Sequence, residues 1–112
     1  MLAREYRLRQ RRDFARVYRR GQSIALPAFV LYRRGNGGTA TRIGFSVSKK
    51  IGKAVVRNRI KRRFRSAVRE ELSCFPAGYD YIFVVRKAAL ETDYAALRSL
   101  IVKGAAAVGR KK

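Results

Sequence analysis

The apolar positions of the chain change period several times, and each change marks an element. Phe14, Val17 and Tyr18 recur at helical spacing, with Asp13 placed to cap that helix and Gly21 to stop it. After Pro27 the period drops to two. Over Ala28 to Arg33, Phe29 and Leu31 take one side of a strand and Val30 and Tyr32 the other. Gly35-Asn36-Gly37-Gly38 is a turn sequence, because Gly and Asn tolerate positive φ, and it predicts a hairpin. No strand-to-helix GK[ST] context follows to make it a phosphate loop. The next strand, Arg42 to Ser48, sets Ile43, Phe45 and Val47 against Gly44, Ser46 and Ser48. That second face is small and polar, and by itself reads slightly better as solvent-exposed than as the seat of a close partner.

A period near 3.6 returns over Val56 to Leu72. Val56, Ile60, Phe64, Ala67, Val68 and Leu72 form the packing stripe, while Asn58, Arg62, Arg65 and Arg69 fall opposite as a basic ridge. Glu70 and Glu71 stand at the C-terminal end, where the helix dipole disfavours them, so their placement suggests a partner. Pro76 and Gly78 break the chain before Asp80 to Arg86, whose run Ile82-Phe83-Val84-Val85 fits an interior strand. A last helix is predicted from an N-cap at Thr92, with Tyr94, Leu97, Leu100 and Ile101 on one side, fading at Gly104 to Gly109. The order α-β-β-α-β-α, with room for a further short strand near the first turn, is a small α+β domain. Residues 1–11 read as a flexible basic arm, 12–108 as the folded domain and 109–112 as a basic tail.

Charge sharpens this picture. The 112 residues carry 28 Lys+Arg, 7 Asp+Glu and no His, a formal charge of +21. Between Asp13 and Glu70 there is no carboxylate, while 16 of 56 positions are Lys or Arg. Such a surface repels itself until a polyanion neutralises it. The apolar positions are committed to a core, so nucleic acid is a better partner than a membrane or a small molecule. No apolar run approaches the roughly 18–20 residues of a membrane span, and no secretory signal is visible. The single Cys74 suits a reducing compartment and reads as an ordinary helix-end residue. Together these predict a cytoplasmic protein.

Catalytic chemistry is poorly served. Two-metal hydrolysis needs clustered carboxylates, and the basic half has none. Without His, the commonest general base is missing, and so is the obvious partner for a Cys nucleophile. Binding remains. Single-stranded RNA needs aromatic platforms as well as cations. Phe14, Tyr18 and Tyr32 lie in the acid-free stretch, yet from pattern alone they read more readily as core, and the sequence leaves the choice open.

The run Ser46-Val-Ser-Lys-Lys-Ile-Gly-Lys-Ala-Val-Val-Arg-Asn-Arg-Ile-Lys-Arg-Arg-Phe-Arg65 closely resembles the signature of the bacterial ribonuclease P protein subunit, R-N-R-x-K-R-x-x-R. The resemblance extends to Asp13-Phe14, Phe29 to Tyr32 and Asp80-Tyr-Ile, about residues 4 to 103. It implies a ribosomal-protein S5 domain 2-like fold with a left-handed β-α-β crossover. It implies a role in removing the 5′ leader from precursor tRNA, with hydrolysis and its Mg2+ belonging to the RNA subunit. Carried over by position, Arg57, Asn58, Arg59, Lys61, Arg62 and Arg65, with Lys49, Lys50 and Lys53, would contact the catalytic RNA. Phe14, Tyr18 and Tyr32 would line a cleft for the single-stranded leader, which the small face of Ser46 and Ser48 would let approach. No protein metal ligands can be named. The competing readings are a ribosomal or structural RNA-binding protein that never meets a leader, and a stand-alone protein nuclease.

Overall fold

The computed structural model describes residues 6–8 and 10–110. Helix α1 (Arg11–Arg20) leads into strands β1 (Gln22–Ala25), β2 (Phe29–Gly35) and β3 (Arg42–Ser46). Helix α2 (Ala54–Glu70), strand β4 (Tyr79–Val85) and helix α3 (Tyr94–Arg110) follow. The four strands form one mixed sheet in the order β1-β2-β4-β3. This is the expected α+β domain, and β1 is the additional short strand.

The predicted hairpin is not formed. Strand β4 lies between β2 and β3, antiparallel to the first and parallel to the second. Its apolar run is buried on both faces, which only an inner strand allows. The glycine-rich turn still reverses the chain, but it does so around the incoming strand. Asn36 N–H donates to Gly78 O (2.9 Å), Gly78 N–H donates to Ala40 O (3.0 Å), and Asn36 Nδ2 donates to Asp80 Oδ1 (3.0 Å). The turn therefore spans a one-strand gap.

On one face of the sheet, Phe29, Leu31, Ile43, Phe45, Tyr81, Phe83 and Val85 pack against α2 and α3. Phe83 is the hub, with the rings of Phe29, Phe45, Phe64 and Phe75 all 5.0–6.0 Å from it. From α2 come Ile60, Phe64, Ala67 and Val68, and from α3 Leu97, Ile101, Ala105 and Val108. Helix α3 thus runs through Gly104 to Arg110 rather than fading there, since burial of Ala105 and Val108 outweighs the low helix propensity of glycine. On the other face, α1 covers a smaller cluster of Leu8, Val17 and Ile82.

Two caps differ from expectation. Helix α1 begins at Arg11, placing Asp13 in its first turn, where the carboxylate meets the Arg42 guanidinium at 3.8 Å. At α3 the cap is Asp93, whose Oδ1 accepts Ala96 N–H at 2.8 Å. The Thr92 hydroxyl instead donates to Ala88 O (2.8 Å), closing the preceding turn. Glu71 accepts two hydrogen bonds from Arg98 (2.9 and 2.6 Å), tying α2 to α3. Its position at the helix end thus has an internal reason rather than an external partner. Of the basic arm, Leu8 is buried and donates its N–H to Ile43 O (2.8 Å), so the chain is anchored to the β3 edge before α1 starts. Residues 1–5, 9, 111 and 112 of the arm and tail lie outside the described residues.

Candidate nucleic-acid interface

Strand register turns the α1 side of the sheet into three parallel rows. The first row is ionic: Arg34, Asp80 and Arg42 lie side by side across β2, β4 and β3. Arg42 Nε and Nη2 each donate to the Asp80 carboxylate at 2.9 Å, while its Nη1 faces Asp13 of α1. The bidentate pair with Asp80 raises the Arg42 pKa, keeping the guanidinium charged. Arg42 thereby pins α1 to the sheet.

The second row runs Ser23, Tyr32, Ile82, Gly44 and is covered by α1. Phe14 rests directly on Gly44, where a Cβ would fall inside the ring edge. Part of the small face predicted on β3 is therefore the seat of a helix. Val17 packs on Ile82, and Tyr18 meets Tyr32 edge-on at 5.0 Å.

The third row, Ala25, Val30, Val84 and Ser46, runs along the margin of α1, with Val84 against its cluster and Ser46 hydrogen-bonded to Tyr18. Ala25 is exposed, while Val30, Val84 and Ser46 are half-buried. A partly exposed strip one row wide is thus left beside α1, apolar on β1, β2 and β4 and ending in a serine on β3. Tyr18 stands at its margin, 40% exposed although it belongs to the packed side of α1. Burial raises the Tyr18 pKa above its usual 10, opposed by a hydrogen bond with Ser46 and reinforced by Tyr32. The phenol is thus neutral and oriented, with part of its ring free. Ser48 is exposed beyond the end of β3, and Lys49 and Lys50 follow it on an exposed turn. Arg86, next after Val84 on this side of β4, is also exposed and donates to Leu26 O (3.0 Å). The strip thus has Lys49 and Lys50 beyond its β3 end and Arg86 along one flank. Ala25, Val30, Val84 and Arg86 were missed from sequence, although alternation along β4 already placed Val84 and Arg86 on one side.

A second surface lies on α2. Asn58, Lys61, Arg62 and Arg65, with the exposed Val55, line an open cavity of about 440 Å³. Arg59 and Lys53 are exposed outside it, whereas Arg57 turns back, its Nε donating to Gly52 O at 3.1 Å. Gly52 has φ 155°, a conformation that favours glycine. Arg57 therefore locks the turn that launches α2, while its neighbours face outward. Burial and the nearby Arg7 lower the Arg65 pKa from its usual value. Among the described residues no three of Cys, Asp and Glu gather to hold a metal ion.

One surface thus offers cations along a helix and the other a ring beside a partly exposed strip. The Ribonuclease P family model matches residues 2–108. The chain belongs to the ribonuclease P protein family. It is 43% identical over 97 residues to the ribonuclease P protein component of Symbiobacterium thermophilum, covering 86% of this chain and 84% of the relative. With the ribonuclease P protein component of Caldanaerobacter subterraneus subsp. tengcongensis it shares 42% over 97 residues, covering 87% and 84%. The Staphylococcus aureus RNase P protein superimposes with a TM-score of 0.81 at 33% identity, covering 94% of this chain and 95% of that one. The Thermotoga maritima RNase P protein gives 0.79 at 35%, covering 87% and 92%. As a ribonuclease P protein component, the chain is a subunit of a tRNA-processing endoribonuclease and has an RNA partner. Among the described residues no helix is long and apolar enough to cross a membrane.

Proposed function

We propose that this protein serves the ribonuclease P RNA in two ways, docking to it through α2 and holding the single-stranded 5′ leader of precursor tRNA on the open strip. Hydrolysis and its magnesium belong to the RNA subunit. The observation that carries this reading is the partly exposed row Ala25-Val30-Val84-Ser46 beside the partly free ring of Tyr18. An extended strand can lie along such a row, its bases against valine and tyrosine and its phosphates toward Lys49, Lys50 and Arg86. Stacking of this kind contributes roughly 1–3 kcal/mol per base and tolerates any sequence, as varied leaders require. Arg59, Lys61, Arg62 and Arg65 supply the cations for the RNA subunit, with the Asn58 amide as a neutral hydrogen-bonding group among them and Lys53 beside them, and Arg57 holds the geometry of their turn.

A structural RNA-binding protein would use the α2 ridge equally well but would have no need of the strip. The test is reconstitution with a ribonuclease P RNA at low magnesium, measuring leader cleavage from precursor tRNA. Cleavage is expected to rise well above that of RNA alone, and no stimulation would contradict the proposal. Cleavage by the protein without added RNA would instead indicate a protein nuclease.

A further inference from the structure

Helix α1 has a second charged side that the strip does not use. Its ten residues include Arg11, Arg12, Arg16, Arg19 and Arg20 against one acid, Asp13. Arg12, Arg16 and Arg20 succeed one another at i, i+4 on the side turned away from Phe14 and Val17, a spacing at which like charges destabilise a helix. Arg19 and Arg20 suit the negative end of the helix dipole, but Arg11 and Arg12 stand at the positive end, where cations are disfavoured. Stability of the helix does not account for this order.

Strand β2 adds a further guanidinium to the same place. Arg12, Arg16, Arg19, Arg20 and Arg34 line an open cleft of about 370 Å³. Arg34 pairs in register with Asp80, but the Asp80 oxygens accept from Arg42 and Asn36. The only other acid nearby on α1, Asp13, also faces Arg42. Among the described residues no carboxylate neutralises these five arginines. The lining holds no aromatic ring and no apolar side chain larger than Ala15. It therefore suits phosphates rather than unstacked bases, and a double helix presents phosphates while hiding its bases.

Basic side chains also lie between the α2 ridge and the start of α1. Arg65 of α2 and Arg7 line one small cavity beside β3. Arg7 bridges to Ile43 on the free edge of β3, and the chain then enters α1 at Arg11. Basic side chains thus follow the sheet edge from α2 to the start of α1. We propose that the arginine side of α1 is a third RNA contact, gripping the phosphate backbone of a double-helical segment of the RNA subunit. Helix α1 would then sit between the leader on one flank and the RNA subunit on the other. This rests on the assignment of α2 to the RNA subunit made above.

The test is the triple substitution R12Q/R16Q/R20Q, which spares Phe14, Tyr18 and the α2 ridge. Affinity for ribonuclease P RNA is measured as salt is varied, without substrate. Each lost duplex phosphate contact removes about 0.9 from the log–log slope, so the slope should fall by about two to three, with at least about tenfold weaker binding at low salt. The R12K/R16K/R20K variant should keep the slope. In holoenzyme assembled with saturating protein, the preference for precursor over mature tRNA should be unchanged. An unchanged slope, accompanied by a more stable free protein as like charges are removed, would overturn the proposal and make this a solvated surface. A loss confined to leader-bearing substrate would also overturn it, assigning the arginines to the leader. Failure of the wild-type protein to bind the RNA at all would instead overturn the reading of α2 on which this one rests.

Discussion

On the α2 and α3 side of the sheet, the central rows are filled by rings and branched aliphatics, with Gln22 and Arg33 only at the margin, and Phe83 alone meets four other rings. On the α1 side the same four strands carry an ion-pair row, a row covered by one short helix, and a row left partly exposed. The difference lies in what completes each face. The first is completed by the chain itself, so its residues are chosen for volume. The second uses a glycine to seat α1 and an arginine to hold it, and stops one row short, so its residues are chosen for the position of an edge. A substitution on the first face should act through stability, and one on the second through the shape of the open strip.

The largest expected effect is on the closed face. Phe83→Ala removes the hub of the ring cluster and should cost roughly 3–5 kcal/mol of unfolding free energy in a denaturant titration. Loss of RNA-dependent activity should follow unfolding and be equal for all substrates. Next comes Gly44→Ala. Its new methyl would collide with Phe14, costing about 1–3 kcal/mol or displacing α1. Shortening the ring in Gly44→Ala/Phe14→Leu should restore part of that loss. Additive losses in the double variant would show that the two residues do not share the space. Arg42→Ala leaves the buried Asp80 carboxylate without its bidentate partner and should destabilise by a comparable amount while loosening α1, weakening precursor binding more than binding of mature tRNA.

A smaller effect returns to the closed face. Burial raises the Tyr81 pKa from 10 to about 12. The unfolded chain therefore loses this proton first, and the contribution is intact below pH 10 and declines as pH rises toward 12. The stability difference between wild type and Tyr81→Phe should change over that window and be flat below it. A difference independent of pH would leave no place for the buried phenol.

Local pattern carried much of this architecture, and its gaps have physical causes. Periodicity found all three helices and the main strands because each buries a continuous face, or in β4 both faces. It misjudged the partner of β3, because strand adjacency depends on Asn36 and Gly78 meeting across some forty residues, a pairing no short window contains. Glu71 looked misplaced at a helix end until Arg98 of α3 was beside it. The basic side of α2 was legible, but spacing could not tell that Arg57 serves the Gly52 carbonyl while Asn58 and Arg62 face out. Phe14, Tyr18 and Tyr32 looked alike in sequence. Structure separates them: Phe14 is wedged on Gly44, Tyr32 is half-buried under Tyr18, and Tyr18 keeps its outer surface free.

That separation makes Tyr18 the sharpest probe of the open face. The affinities of reconstituted holoenzyme for precursor and mature tRNA should be compared for wild type and Tyr18→Ala, with the folded state of each protein checked first. Precursor affinity is expected to fall by roughly 1–3 kcal/mol, the contribution of one stacked base, while mature tRNA binding stays constant. Equal losses on both substrates, or none on either, would contradict the claim that the partly exposed row beside α1 holds the leader.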